Sequence, residues 1–189
     1  MSLTEAIRHR RAVRSFTAEG VEESALRALI DAAIQAPSAL NAQPWAFVVI
    51  DDRALLADYD ERAKAHYLTL EFPEACKSQA CEILTRPGYQ LFHGAPALVV
   101  IYARSGGHHD NVADCFLAAQ NLMLAACEGG LGTCPIGFAR PFFGLPEVRD
   151  ALGVSVEWQP ALPLIVGHPA GPTPAPGRKP AVILSWRCS

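Results

Sequence analysis

Hydrophobic positions along the chain predict amphipathic helices that alternate with short apolar strands. Apolar residues from Leu26 to Ile34 recur at i, i+3, i+4, i+7 and i+8, which predicts a helix over about Glu22–Gln35. Pro37 ends this helix. Four short, largely apolar runs predict strands: Trp45–Ile50, Ala97–Tyr102, Ala161–Gly167 and Ala181–Trp186.

A long helix is predicted from Asp110 or Asn111 to about Glu128, where a pair of glycines ends it. Apolar residues cover nearly its whole circumference, which is typical of a helix buried on all sides. In a chain of 189 residues, this pattern suggests that a second subunit covers one side. A short helix is predicted near Pro146 to Leu152.

The stretch from Arg53 to Tyr89 has a helical composition but weak periodicity. Phe72–Pro73 and Arg86–Gly88 interrupt it. We expect helical pieces here, which either pack on the core or cover a pocket.

Charge is concentrated at one place, where Arg10, Arg11 and Arg14 put three arginines in five residues. Ser2 and Glu5 form a capping box that predicts a first helix, and its continuation would place Arg10 and Arg14 on one helix face. Crowded guanidinium groups repel one another unless an anion lies between them, and their geometry matches a phosphate. The alternative is that they are solvated cations, favoured at the end of a helix dipole.

Composition limits the class of protein. The length predicts one domain, and a net charge of −3 with only a local basic cluster makes nucleic acid an unexpected partner. No run of residues has the length and hydropathy of a membrane span, and the N-terminus lacks a secretory pattern, so we expect a cytoplasmic protein.

Cysteine and glycine motifs exclude several kinds of site. The six cysteines are scattered without a CxxC pair, and we interpret most as buried apolar residues: Cys76, Cys81, Cys115, Cys127, Cys134 and Cys188. His108-His109-Asp110 in a glycine loop is a weak metal motif. Gly130-x-Gly132 lacks the third glycine and the preceding strand of a dinucleotide fingerprint.

Two further segments favour function. The loop from Ala36 to Trp45 is bracketed by prolines and carries Ser38, Asn41 and Gln43, and such polar loops commonly bind ligands. A proline-rich arm from Pro169 to Pro180 separates the last predicted strand from residues 1–168. We treat 169–189 as an extension of the same domain.

Four motifs in this order resemble the FMN-dependent nitroreductase family. They are Arg10-Arg11-x-x-Arg14-Ser15-Phe16, Ala36-Pro37-Ser38-Ala39-x-Asn41-x-Gln43-Pro44-Trp45, Gln120-Asn121-Leu122 running into Gly130-Leu131-Gly132-Thr133-Cys134-Pro135-Ile136-Gly137, and Gly167-x-Pro169 followed by Arg178. The resemblance implies an α+β fold with a central, mixed but mostly antiparallel sheet flanked by helices. It also implies a homodimer that binds FMN at the interface. Because the proline-rich arm is long and the run Ala181–Trp186 is too apolar to stay in water, we expect this C-terminal strand to be exchanged between the subunits.

The resemblance also assigns residues to the cofactor. Arg10 and Arg178 would contact the FMN phosphate, and Arg11 and Ala12 would line the ribityl side. Arg14 would lie near N1 and O2. The family often has serine where this chain has Ala12, so only a backbone contact is expected there.

The isoalloxazine ring would be held from both subunits. The other subunit would contribute one loop: Pro37, Ser38, Ala39 and Asn41. The segment Pro135, Ile136 and Gly137 would approach N5 and offer a backbone N–H as donor.

The implied function is ping-pong hydride transfer from NADH or NADPH to a nitro-aromatic, quinone or enone acceptor, without a protein nucleophile or general acid. Two alternatives stay open. One is other flavin chemistry, such as reductive dehalogenation or flavin breakdown. Dehalogenating relatives hold their substrate with an acidic residue, a tyrosine and a lysine. This chain has Glu61, Lys64 and Tyr67, but they do not align convincingly with those residues. The other is a flavin-free, non-enzymatic homodimer.

Overall fold

The computed structural model describes residues 1–71, 80–106 and 111–188. Helices and strands alternate along the chain much as the hydrophobic pattern predicts. The helices are α1 Leu3–His9, α2 Glu23–Ala33, α3 Arg53–Thr69, α4 Asn111–Glu128 and α5 Pro146–Ala151. The strands are β1 Trp45–Ile50, β2 Ala97–Arg104, β3 Gly132–Pro135 and β4 Trp158–Gly167. Short 3-10 helices lie at Ala39–Asn41, Gly137–Ala139 and Phe142–Gly144.

The four strands form one sheet in the order β1-β2-β4-β3, and every neighbouring pair is antiparallel. Strand β2 is central, because it pairs with β1 on one side and β4 on the other. Strand β3 is therefore an edge strand of this sheet. Parallel pairing enters only as the isolated bridge of Ala12 with Thr133, among the residues described. This arrangement confirms the predicted α+β class with a central antiparallel sheet and flanking helices.

Helices cover both faces of the sheet. Successive side chains of a strand point to opposite faces, and Val99 and Ile101 accordingly join the core beneath α2 and α4. Val100 and Tyr102 join the core beneath α3 and the two phenylalanines at 142 and 143. Burial on both faces explains why β2 is apolar along nearly its whole length, without the alternation of a half-exposed strand.

One prediction about the helices is wrong, and two others concern surfaces that the chain alone leaves exposed. Helix α1 ends at His9, well before Arg14. Helix α4 is not buried all round in the single chain, since Phe116 and Leu117 are 46% and 47% exposed. The run 181–186 forms no strand in the chain alone, and Leu184 is 95% exposed. Exchange of this run between subunits stays a prediction.

The remaining sequence interpretations are met in part. Cys115 and Cys134 are buried thiols, Cys81 and Cys127 are half-buried, and Cys188 is exposed, contrary to the buried position expected for most of them. Three features named from the sequence lie outside the described residues: the interruption at Phe72–Pro73, Cys76 and the motif 108–110. Within the described ranges, the helices are too short or too polar to cross a membrane.

Candidate functional site

The arginine cluster lies on an extended segment rather than on a helix. Arg10 caps α1 with ψ 129° and donates its N–H to the Ala6 carbonyl. Beyond it, the Val13 N–H donates to the Thr133 carbonyl at 3.0 Å. The free edge of β3 thus offers backbone partners that compete with another helical turn. The predicted shared helix face of Arg10 and Arg14 is therefore wrong.

Two glycines allow this segment to lie against the sheet. A Cβ on Gly132 would lie 2.8 Å from both Cβ and Cγ2 of Val13. A Cβ on Gly167 would lie 2.5 Å from Cδ of Pro96 and 2.8 Å from Cδ1 of Phe16. Such distances are shorter than any ordinary contact between carbon atoms. The close approach of residues 10–17 to β3 and β4 therefore depends on both glycines.

The segment places its arginines beside two cavities that lie along β3. One cavity, of about 310 Å³, is lined by Arg10 and Arg11 together with Gly132 and Thr133; we call it the Arg10 cavity. The other, of about 610 Å³, is lined by Arg14 and four consecutive residues; we call it the Arg14 cavity. Those four residues are Cys134, Pro135, Ile136 and Gly137. The structure thus brings Arg10, one of the two predicted phosphate residues, and the predicted N5 segment to neighbouring parts of one strand.

These arginines have no carboxylate partner. None of the ion pairs among the described residues uses Arg10, Arg11 or Arg14. Arg11 is occupied by its own backbone, because its Nη1 donates to the carbonyls of Arg8 at 2.5 Å and Arg10 at 3.0 Å. Arg10 and Arg14 are therefore the cations best able to meet an anionic ligand.

Burial and charge in the Arg14 cavity favour the neutral forms of Cys134 and His93. Burial raises the pKa of the Cys134 thiol, and the nearby Arg14 and Arg10 offset part of that rise. Burial, followed by the charge of Arg14, lowers the pKa of His93 below its ordinary value. A neutral thiol is a poor nucleophile. Arg86 also lines this cavity, but it forms an ion pair with Glu82 at 2.9 Å, so Arg14 is the cavity cation without a carboxylate partner among the described residues.

A single backbone donor is available where the N5 contact was predicted. Pro135 carries no N–H, and the Ile136 N–H already donates to the Pro163 carbonyl at 2.9 Å. The N–H of the exposed Gly137 is left as the donor of this segment. Of the three predicted residues, Gly137 thus fits the role of N5 donor.

The Pro37–Asn41 loop lies away from both cavities. It follows α2, and the Ala39 N–H donates to Oδ2 of Asp114 on α4 at 3.1 Å. Leu40 at its tip is 88% exposed. Within one chain the loop lines neither cavity, so its contact with a flavin of the partner subunit stays a prediction.

The proline-rich arm leaves Arg178 outside the assembled site. The arm enters the fold at Phe16, which bridges to Pro169, and then runs over the Arg10 cavity as far as Thr173. Arg178 lines neither cavity and donates weakly to the Gly177 carbonyl at 3.5 Å. Its predicted phosphate contact is not formed by the chain alone.

Sequence reasoning missed one wall of the Arg14 cavity, which is formed by Tyr89 and His93. The buried Asp60 of α3 shapes the turn that carries these two residues. The Asp60 carboxylate accepts the N–H groups of Leu91 at 3.0 Å and Phe92 at 2.5 Å. A lone aspartate on a weakly periodic helix gives no local signal of such a role.

The three residues considered for dehalogenation do not converge. Lys64 forms an ion pair with Glu61 at 2.8 Å and donates to the Tyr89 carbonyl at 3.1 Å. Of the three, only Tyr67 lines the Arg14 cavity, where its ring meets that of Phe138 at 4.8 Å between centroids. Glu61 and Lys64 thus support α3 and the adjacent turn.

Comparison with known proteins gives a consistent family. A sequence model of the Nitroreductase family matches residues 7–168. The chain is 28% identical over 177 residues to nitroreductase NfnB of Mycolicibacterium smegmatis, covering 78% of this chain and 75% of that protein. It is 26% identical over 185 residues to an iodotyrosine deiodinase of Thermotoga neapolitana, covering 96% of each.

The fold agrees with that of a solved relative. A nitroreductase with bound FMN from Desulfitobacterium hafniense DCB-2 superimposes with a TM-score of 0.82 at 27% identity, covering 95% of each chain. The family match spans most of the present chain, including the arginine segment, the polar loop and β3. This protein therefore belongs to the nitroreductase family.

Proposed function

We propose that the protein is an FMN-dependent oxidoreductase that uses NADH or NADPH to reduce nitro-aromatic, quinone or enone acceptors. The observation that carries this proposal is the placement of Arg10 and Arg14 beside adjacent cavities along β3, without carboxylate partners among the described residues. Family membership and the FMN bound to the Desulfitobacterium relative support it.

The residues present fit FMN in charge and in shape. The Arg10 cavity offers a guanidinium and open space for a phosphate, which prefers such a partner. The Arg14 cavity offers a second cation and the Gly137 N–H along one wall, with the aromatic Phe138 beside them. Ala12 lies between Arg11 and Arg14 and bridges to Thr133, so it would offer the ribityl chain no side-chain hydrogen bond.

The chain's own residues would hold the cofactor and tune it. When bound, FMN would take a hydride from NAD(P)H and transfer two electrons to the acceptor. Arg14 would stabilise negative charge near N1 and O2, which makes reduction easier. Gly137 would donate its N–H to N5. Neither Cys134 nor His93 is required as a nucleophile or a proton donor in this scheme.

A homodimer would complete the site. Phe116 and Leu117 leave an exposed apolar surface on α4, and the arm leaves Ile183, Leu184 and Trp186 exposed. Apolar surface of this kind is typical of subunit interfaces. A proline-rich chain extends by roughly 3 Å per residue, so the arm is long enough to reach across a small subunit and deliver Arg178.

Three measurements on the purified protein test the proposal. Bound FMN would give a yellow protein with the absorbance spectrum of a flavin. Under anaerobic conditions NAD(P)H would be oxidised beyond the one equivalent that reduces the FMN only when a nitro-aromatic, quinone or enone is added. Parallel double-reciprocal plots would support the ping-pong cycle. A colourless protein that takes up no added FMN would refute the proposal and favour the non-enzymatic homodimer.

Truncation after Gly171 tests the role of the arm. The shortened protein is expected to lose dimer and bound flavin together, because the arm would supply both an interface strand and Arg178. Size-exclusion chromatography with flavin absorbance reports both properties. A truncated protein that stays dimeric and fully yellow would show that the arm is dispensable.

Reductive dehalogenation is the second candidate, favoured by similarity to the Thermotoga deiodinase over nearly the whole chain. The engagement of Lys64 with Glu61 and Tyr89 is an observation against it. Halide release from an iodinated tyrosine, measured with reduced enzyme under anaerobic conditions, distinguishes the two reactions. Halide release faster than nitro-aromatic reduction would favour dehalogenation.

A further inference from the structure

A buried carboxylate on α4 ties down the loop after α2. Asp114 is 9% exposed, and its Oδ2 accepts the Ala39 N–H from 75 residues away in the chain. An acidic residue in the first turn of a helix is ordinary, because it complements the helix dipole. The exposed Glu147 occupies the first turn of α5 in that way. The burial of Asp114 and its bond to a distant loop go beyond this requirement.

The loop that Asp114 holds has a strained backbone. Leu40 and Asn41 both have φ of 54°, and Gln43 has φ of 47°. Residues with side chains rarely adopt this left-handed region, and they keep it only when surrounding contacts enforce it. Such strain concentrates at functional sites.

The loop's internal hydrogen bonds cannot by themselves fix it to the protein. Oγ of Ser38 accepts the Gln43 N–H at 2.9 Å, and Oδ1 of Asn41 accepts from Nε2 of Gln43 at 3.2 Å. Both bonds join residues of the same loop. Asp114 connects this folded loop to the helical core through its bond to the Ala39 N–H.

We propose that Asp114 is a positioning residue that holds loop 37–43 in the shape required to contact the flavin of the partner subunit. The inference rests on the proposed function, in which that loop borders the isoalloxazine ring. Without the Asp114 acceptor, the loop relaxes into other conformations, and only the fraction that keeps the present shape binds flavin well. The apparent dissociation constant rises by the inverse of that fraction.

Two substitutions at Asp114 separate the hydrogen bond from the negative charge. Asp114→Ala removes the acceptor, and we expect the FMN dissociation constant to rise about tenfold, which corresponds to a competent fraction of about one tenth. Asp114→Asn keeps an amide oxygen that can accept the Ala39 N–H, and it should stay within about threefold of the wild-type value. Glu147→Ala is the matched control, since it removes a first-turn carboxylate that lies outside the loop.

The measurement is FMN binding by quenching of flavin fluorescence, at a temperature where every variant is folded. Visible circular dichroism of the bound flavin reports the surroundings of the ring, and size-exclusion chromatography reports the dimer. Support requires weakened binding and altered dichroism in Asp114→Ala, recovery in Asp114→Asn, and an intact dimer in both.

Several outcomes would overturn the proposal. They are wild-type FMN affinity in Asp114→Ala, equal losses in the alanine and asparagine variants, or a loss of affinity that follows dissociation of the dimer. A fall in thermal stability alone, with unchanged affinity and dichroism, would make Asp114 merely structural. The proposed function itself is tested separately, by FMN binding and by acceptor-dependent NAD(P)H oxidation in the wild-type protein.

Discussion

Replacement of Gly132 by alanine tests whether the close approach of the arginine segment to β3 builds the site. The new Cβ would lie 2.8 Å from Cβ and Cγ2 of Val13, whereas ordinary contact begins at 3.4 Å. The segment must therefore retreat by about 0.6 Å, the difference between these two distances. The Val13 N–H bond to the Thr133 carbonyl, now 3.0 Å, would lengthen to about 3.6 Å, beyond a useful hydrogen bond.

The expected magnitude combines overpacking with the lost bond. Overpacking a tight position costs about 1–3 kcal/mol, so the free energy of unfolding should fall by about that amount. Because the same segment carries Arg10 and Arg14, FMN affinity should also fall, by about tenfold for each 1.4 kcal/mol of lost interaction. Chemical denaturation of the apo-protein and FMN titration measure the two effects.

The control is Gly20→Ala, where a Cβ would meet nothing within 4 Å and φ is not in the positive region. It should leave FMN affinity unchanged and stabilise the fold by up to about 1 kcal/mol through the unfolded chain. Adding Val13→Ala to Gly132→Ala should not restore binding, because Cβ of Val13 is itself among the crowded atoms. Wild-type stability and affinity in Gly132→Ala would refute this account of the site.

Three further predictions concern charged and titrating groups. Arg10→Ala should weaken FMN binding by about 1.5–3 kcal/mol, the contribution of a hydrogen bond to a charged group; unchanged affinity in a titration would remove Arg10 from the phosphate site. Arg14→Gln should lower the flavin reduction potential while much of the binding remains, as measured by spectroelectrochemistry; an unchanged potential would separate Arg14 from N1 and O2. Because burial and Arg14 lower the pKa of His93, the unfolded chain binds more protons below about pH 6.5, so stability should fall as pH drops through that value. His93→Gln should flatten this part of a pH series of denaturation curves, and an unaltered slope would contradict the assignment.

The main segments of the site were predictable, because their residue types and their order along the chain identify them. Three arginines near the N-terminus, a proline-bracketed polar loop and a glycine-rich segment before Pro135 stand out in any reading of the chain. Strands β1, β2 and β4 were equally predictable, since β2 and β4 are buried on both faces and read as largely apolar runs. Strand β3, with the sequence GTCP, was not predicted, because it is short and carries no apolar run.

The conformation of the arginine segment was not predictable from its own spacing. Arg10 and Arg14 satisfy a helical period, yet the segment pairs with β3. In the bridge of Ala12 with Thr133 the two partners are 121 residues apart, so no local pattern reveals the pairing. The role of Gly132 was hidden for the same reason. Its lack of a side chain serves a close approach to Val13 and not a nucleotide fingerprint.

The sequence by itself determined which residues are available to bind an anion, where the chain bends and which runs are apolar, because these properties belong to single residues and their neighbours. Only the tertiary structure decided that Arg10 and Arg14 face separate cavities, that Asp60 shapes the turn of Tyr89 and His93, and that Asp114 holds Ala39. Each of these contacts joins residues far apart in the chain. Their geometry follows from how the helices and strands pack on the sheet, and periodicity within one segment carries no information about that packing.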